Sequence, residues 1–110
     1  MSYDTSMTID TGGSELATVH EIGNCTSNVS GMWMLAIGEP LRDLDGRTGA
    51  ELIPLLERAV SHIQHPDNAA VYRGMEPPNG WGSHEGAALY LECILGACRA
   101  HPLARLEISS

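Results

Sequence analysis

The sequence predicts an α+β domain. A small three-stranded sheet, made of an N-terminal hairpin plus a C-terminal strand, packs with three helices in the order ββαααβ. Three observations point there. Residues 3 to 9 alternate, with Tyr3, Thr5, Met7 and Ile9 on one face and Asp4, Ser6 and Thr8 on the other. That is the two-residue period of a strand. Leu52, Leu55, Leu56, Ala59 and Ile63 fall on one stripe at helical spacing. After His101-Pro102, which ends a helix, Leu103 to Ile108 alternates again as a final strand. The 110 residues fit one domain, 1–110.

In chain order, Thr11-Gly12-Gly13-Ser14 reads as a hairpin turn, because glycine tolerates positive φ. Leu16 to Ile22, rich in β-branched residues, returns antiparallel and runs into a polar loop, Gly23-Asn24-Cys25-Thr26-Ser27-Asn28. Val29 to Ile37 is a short apolar helix that Asn28 or Ser27 can cap. Gly38 and Pro40 stop it. Asp43 to Gly49 is rich in turns. Thr48-Gly49-Ala50-Glu51 is a capping box, and the helix it opens ends near His65-Pro66. Asp67 to Pro78 reads as loop, with a short turn around Ala69 to Tyr72. Ser83 caps the third helix, with Glu85 placed favourably for the helix dipole. Ala88, Leu91, Ile94, Leu95 and Cys98 form its main apolar face, and Leu89, Cys93, Gly96 and Ala97 line another. A helix apolar on most sides is expected at the centre, with Gly96 admitting a close neighbour.

Phe is absent and aromatics are 5% of the chain, so an aliphatic core is expected and the places of Trp33 and Trp81 carry information. The net charge of −8, from 14 acidic and 6 basic residues, leaves no basic stripe for a phosphate backbone. Direct nucleic-acid binding is not expected. No stretch of 18 apolar residues suggests a membrane span. Met1-Ser2-Tyr3-Asp4 lacks the basic and apolar regions of a signal peptide, so the expected compartment is the cytoplasm. There the odd set Cys25, Cys93 and Cys98 stays reduced. His62 and His65 lie three apart at a helix end, but no second ligand pair accompanies them, and neither a metal nor a cofactor is expected.

The chemistry gathers in two polar segments. The first offers Asn24, Thr26 and Asn28 as a hydrogen-bonding cradle before a helix N-terminus. Turn and cap chemistry accounts for part of it. The second, Asn79-Gly80-Trp81-Gly82-Ser83-His84-Glu85, sets a large ring between two glycines at the start of the next helix. Trp81 offers a stacking surface for a base or sugar, with Trp33 as support, or a lid over the sheet edge. If the segments meet, two helix N-termini would favour an anion such as phosphate.

At these segments the chain resembles a family of small proteins encoded by bacteriophages and prophages. That family shows Asn-x-Thr-x-Asn, an apolar residue and a Met, then Asn-Gly-Trp-Gly, then a Cys shortly before Asn/His-Pro and a last strand. The matching residues are Asn24, Thr26, Asn28, Val29 and Met32; Asn79, Gly80, Trp81 and Gly82; and Cys98, His101 and Pro102. The likeness covers nearly the whole chain from Ile22 onward. It implies a phage setting, hence the host cytoplasm, and no particular reaction. By analogy with small phage proteins that block host defences, three functions are open. The first is a non-enzymatic binder, or sponge, for a phosphorylated or nucleotide-like immune signal, its site at a homo-oligomer interface and built from Asn24, Thr26, Asn28, Trp33, Asn79, Trp81, Ser83, His84 and Glu85. The second is a protein-interaction module docking on a host or phage protein. The third is a small hydrolase using Cys25, His84 and Glu85.

Overall fold

The computed structural model describes residues 2–10, 12, 16–80 and 82–109. Strand β1 (Ser2–Asp10) pairs antiparallel with β2 (Leu16–Thr26) and with β3 (Arg105–Ser109), giving the sheet order β2-β1-β3. Helices α1 (Ser30–Ile37), α2 (Gly49–Gln64), α3 (Ala69–Gly74) and α4 (His84–Ala100) lie between β2 and β3. The α+β class and the hairpin-plus-C-terminal-strand sheet are as expected from sequence. Among the described residues there are four α-helices, because the short turn expected near Ala69 is a helix of its own. Of the expected hairpin turn only Gly12 is described; its N–H donates to Asp10 Oδ1 at 2.8 Å. Thr11, Gly13 and Ser14 lie outside the described residues.

β1 follows its alternation as far as Met7, and then departs from it. Partners step from Gly23 to Glu21 across Thr5/Ser6 and from His20 to Thr18 across Met7/Thr8. β2 therefore carries an extra residue, Ile22 and then Val19, at each step, and each such bulge adds local twist. Beyond the second, Thr8 is buried and Ile9 is exposed. Ile9 thus parts from Met7, whose face it was expected to share.

The outer edge of β3 is closed by the segment before α2. Gly46 N–H donates to the Leu106 carbonyl at 2.7 Å, Leu106 N–H to the Arg47 carbonyl at 2.9 Å, and Ile108 N–H to Asp45 Oδ1 at 2.7 Å. This covers one of the two sheet edges that would otherwise template further pairing.

α2 begins as its capping box demands, with Thr48 Oγ1 accepting from Glu51 N–H at 3.3 Å. The N–H groups of Gly49 and Ala50, which have no partner within a helix, donate to the carbonyls of Ala104 and Pro102 at 2.8 Å each. Leu52, Leu56, Ala59 and Ile63 are fully buried, and Leu55 packs at the margin. α4 buries Ala88, Leu91, Ile94, Leu95 and Cys98 as expected. Its second face is split: Ala97 is buried, whereas Leu89, Cys93 and Gly96 are exposed. A Cβ on Gly96 would meet nothing within 4 Å. The close approach expected there is made at Gly49, whose Cβ would stand 2.8 Å from the His101 carbonyl oxygen.

The core is not purely aliphatic. Trp33 and Tyr72 are fully buried, and Trp33 lies between Tyr3 and Tyr90, with ring centroids 5.6 and 5.5 Å away. The Tyr90 hydroxyl fastens α4 to the sheet. It lies 2.6 Å from Thr5 Oγ1, 3.1 Å from the Gly23 carbonyl and 3.3 Å from the Tyr3 carbonyl. Desolvation by burial pushes its phenol from 10.0 up to about 12, since the anion would lose its water. The unfolded chain releases this proton first, so stability should fall as pH rises through the window from 10 to about 12. The buried Cys98 thiol, pushed from 9.0 to about 11, acts in the same direction from lower pH. Urea midpoints measured at increasing alkaline pH should fall, and the fall above the ordinary phenol range should be shallower in Tyr90→Phe. An unchanged slope in that variant would remove Tyr90 as the cause.

Among the described residues no helix is long and apolar enough to cross a membrane.

Candidate functional site

The first polar segment is not a loop. Gly23 to Thr26 continue β2, facing Ser2 to Thr5 of β1. Glycine and asparagine are poor strand formers, but Asn24 is fixed by its neighbours: its Nδ2 donates to Ser2 Oγ at 2.9 Å and to Asp4 Oδ1 at 3.0 Å. This amide clasps two strands and is already committed. Thr26 Oγ1 accepts from Asn28 N–H at 3.3 Å, turning the chain into a single 3-10 turn, Ser27–Val29. The residue in the cap position of α1 is Val29, whose own side chain makes no cap hydrogen bond. The cap position, expected at Asn28 or Ser27, thus falls at Val29, and Thr26 makes the turn before it.

The second segment meets the first. Pro77 to Gly80 form a turn closed by Gly80 N–H on the Pro77 carbonyl at 3.2 Å, and Asn79 is exposed on it. Trp81 lies outside the described residues. At Gly82 (φ +142°) a Cβ would stand 2.7 Å from Val29 Cγ1 and 3.5 Å from the Thr26 methyl. Only a bare backbone can sit there, and this contact seams the two segments together at the base of α1.

Ser83 caps α4 as expected, accepting from Gly86 N–H at 3.0 Å. The neighbouring His84 N–H, however, donates to Glu76 Oε2 at 2.9 Å. A carboxylate of the chain itself thus occupies the place an incoming phosphate would take on that N–H. The His84 ring stacks on Tyr72 at 5.2 Å with 4° between planes, and its Nε2 donates to the Ile63 carbonyl at 2.6 Å. Tyr72 hydroxyl in turn bonds His62 Nδ1 at 2.6 Å. The set His62, Tyr72 and His84 locks α3 and the start of α4 onto the end of α2.

Trp33, expected to support a stacked ligand, is 0% exposed, with Nε1 donating to the Ala87 carbonyl at 3.3 Å. It belongs to the core and cannot touch a ligand on the surface. Cys25 is half-buried and faces Tyr3 across the hairpin. Burial pushes its thiol up, with the backbone of Thr26 partly opposing. That works against the thiolate a nucleophile needs. Among the described residues no hydrogen bond joins Cys25 to His20, His84 or Glu85. Nor do three His, Cys, Asp or Glu side chains gather there as a metal would require.

Among the described residues, His84 and Glu85 line a cavity of about 430 Å³ between α2 and α4. Gln64, Ala88, Leu89 and Glu92 are among its walls, with Arg73 of α3 beside them. Glu92 also lines a second hollow of about 400 Å³ that continues past Leu95 and Gly96 to Arg99. The two hollows share Glu92 and line the same side of α4, toward α2. Glu85, Leu89, Glu92 and Gly96 stand at i, i+4, i+7 and i+11, one stripe of the helix, about 16 Å long. Leu89 is 58% exposed. Glu57 on the α2 side is ion-paired with Arg99 at 3.0 Å. Glu85 and Glu92 have no ion-pair or hydrogen-bond partner among the described residues. Sequence reasoning placed Leu89 and Gly96 on a buried face and left Glu92 aside. The available signal was the pair of acids bracketing Leu89 on its own helical stripe, which marks that stripe as solvent-facing.

No protein-family model matches the chain, and no curated protein or solved structure is detectably similar to it.

Proposed function

We propose that this chain is a non-catalytic protein-interaction module whose α2–α4 groove receives a basic amphipathic helix of a partner protein. One observation carries the reading: a single stripe of α4 presents Leu89 between two unpaired carboxylates, Glu85 and Glu92, above open space at Gly96. An apolar stripe in a groove is how helices are commonly received. Carboxylates at its rim select lysine or arginine on the incoming face, and the net charge of −8 steers such a partner in. In the phage setting that the resemblance implies, the partner is a host or phage protein. Blocking a host defence fits that role.

A photo-crosslinking residue at position 89, with one at position 19 on β2 as control, tests this in host cells. A partner segment rich in lysine or arginine should be trapped from position 89 alone, and Glu85→Lys with Glu92→Lys should abolish the trapping. Equal trapping from both positions, or indifference to the charge reversal, would sink the proposal.

A second reading, a phosphorylated or nucleotide-like ligand sequestered beside Asn79 and Trp81, has one supporting observation: the seam of Gly82 on Val29 and Thr26. Calorimetry with cyclic and linear nucleotides separates the two. Binding abolished by Trp81→Ala and untouched by Glu85→Lys with Glu92→Lys would favour this second reading.

A further inference from the structure

We infer that the outward stripe at the end of α2 is an anion site that receives a phosphate group, held by Arg58, His62 and His65. Arg58 and His62 stand one turn apart on α2, and His65 follows in its C-terminal cap position. All three line an open hollow of about 680 Å³, with Ser61 beside them and Pro54 and Glu57 among its other walls.

The partners of the two imidazoles decide the sign of the ligand. The Tyr72 hydroxyl is fully buried, and its partner is His62 Nδ1 at 2.6 Å. A buried O–H must donate, and burial pushes this phenol up, which keeps the proton on it. His62 Nδ1 therefore accepts. His65 Nδ1 accepts too, from Asp67 N–H at 3.1 Å. A neutral imidazole whose Nδ1 accepts carries its proton on Nε2. Both rings thus bring an N–H donor to the hollow they line. A metal ion needs a bare nitrogen lone pair in that place; an anion needs the N–H. Tyr72 also packs edge-on against the His62 ring at 5.7 Å, which fixes its orientation.

Charge and donor count agree. The chain's six basic residues are all arginines. Arg47 and Arg99 are engaged with Glu39 and Glu57, Arg105 with the Gly46 carbonyl, and Arg42 has a partner as well. Arg58 makes no hydrogen bond or ion pair among the described residues. Its forked guanidinium matches phosphate oxygens. With the two imidazoles and the Ser61 hydroxyl it offers more donors than the two oxygens of a carboxylate use, and a phosphate monoester presents three. Glu57 is paired with Arg99 at 3.0 Å, and Asp67, 3.8 Å from His65 Nδ1, is not among the walls. The free carbonyls of a helix end repel anions. Here the His62 carbonyl accepts from His65 N–H at 3.3 Å and Asn68 Nδ2 at 3.0 Å, and the Ile63 carbonyl from His84 at 2.6 Å. The inference does not rest on the proposed function, and either can fail alone.

Long-range proton–nitrogen spectra of the imidazoles test it on the intact chain, at fixed pH, titrated with inorganic phosphate, ribose 5-phosphate and a phosphoserine peptide. His62 and His65 should shift together and saturate, with Nε2 still protonated. Tighter ribose 5-phosphate assigns the group to a small molecule, and a tighter phosphoserine peptide assigns it to a protein; the site stands in both cases. Arg58→Gln should weaken binding about tenfold or more, and Arg58→Lys should recover only part of the loss. Should Arg58→Gln fail to fold, His65→Leu makes the same test. No saturable shift, or the same shift with sodium chloride, overturns the inference. So does binding indifferent to Arg58→Gln but lost in Trp81→Ala, or displacement of the Nε2 protons by zinc chloride.

Discussion

Trp33→Ala is expected to lower the melting temperature by on the order of 15 °C and to broaden or abolish the near-ultraviolet circular-dichroism signal. Truncating a buried tryptophan costs about 3–5 kcal/mol through lost transfer energy and the cavity left behind. Here the ring is the largest fully buried side chain among the described residues, and it joins Tyr3 of the sheet to Tyr90 of α4. Each aromatic contact adds roughly 0.5–1.5 kcal/mol beyond its area, and the donor bond to the Ala87 carbonyl is lost as well. A domain this size holds roughly 5–15 kcal/mol in all, so the variant would be marginal at body temperature. Trp33→Phe should fall between the two, keeping ring packing and losing the N–H. The measurement also distinguishes roles. A tryptophan that only supported a ligand would leave the melting temperature alone and change binding.

The reason Trp33 could be mistaken for a site residue lies in its helix. In Ser30–Ile37 every side chain but the first is apolar or glycine, so periodicity cannot say which face is inside. Elsewhere local chemistry was sufficient. Gly38 at φ +88° ends α1, Thr48 caps α2 through Glu51 N–H, and Ser83 caps α4 through Gly86 N–H, because these signals act within four residues. What local rules missed is tertiary. α3 has six residues and no side-chain cap of its own; it is held by Tyr72, which reaches His62 and stacks on His84. β2 keeps its strand through Gly23 and Asn24, against their propensity, because Asn24 ties back to Ser2 and Asp4. The candidate site was legible in the same uneven way. The second polar segment does touch the first, at Gly82 against Val29. The groove needed α2 and α4 placed side by side before Glu85, Leu89 and Glu92 could be read as its wall.

Two of the helix glycines, Gly49 and Gly96, supply the sharpest test of that distinction, because propensity alone gives both the same sign. Alanine is favoured over glycine in a helix interior by roughly 1 kcal/mol. At Gly96 nothing opposes it, since an added Cβ meets open space. Gly96→Ala should raise stability by about 0.5–1 kcal/mol. At Gly49 the Cβ would stand 2.8 Å from the His101 oxygen, 2.9 Å from the Cys98 oxygen and 3.1 Å from Cys98 Cα, all of them backbone. No rotamer change relieves that clash, so α2 must move away from the end of α4. Overpacking of this kind costs about 1–3 kcal/mol. The movement also strains the bonds from Gly49 N–H to the Ala104 carbonyl and from Ala50 N–H to the Pro102 carbonyl, each contributing about 0.5–1.5 kcal/mol. Gly49→Ala should therefore destabilise the fold by about 2–4 kcal/mol. Paired urea melts check both: the midpoints should move in opposite directions. Equal stabilisation would mean that α2 does not rest on the α4–β3 connection. The Gly96 variant has a further use. Its methyl projects into the α2–α4 groove without disturbing the fold, so a partner helix seated there should bind it more weakly while the protein itself melts later.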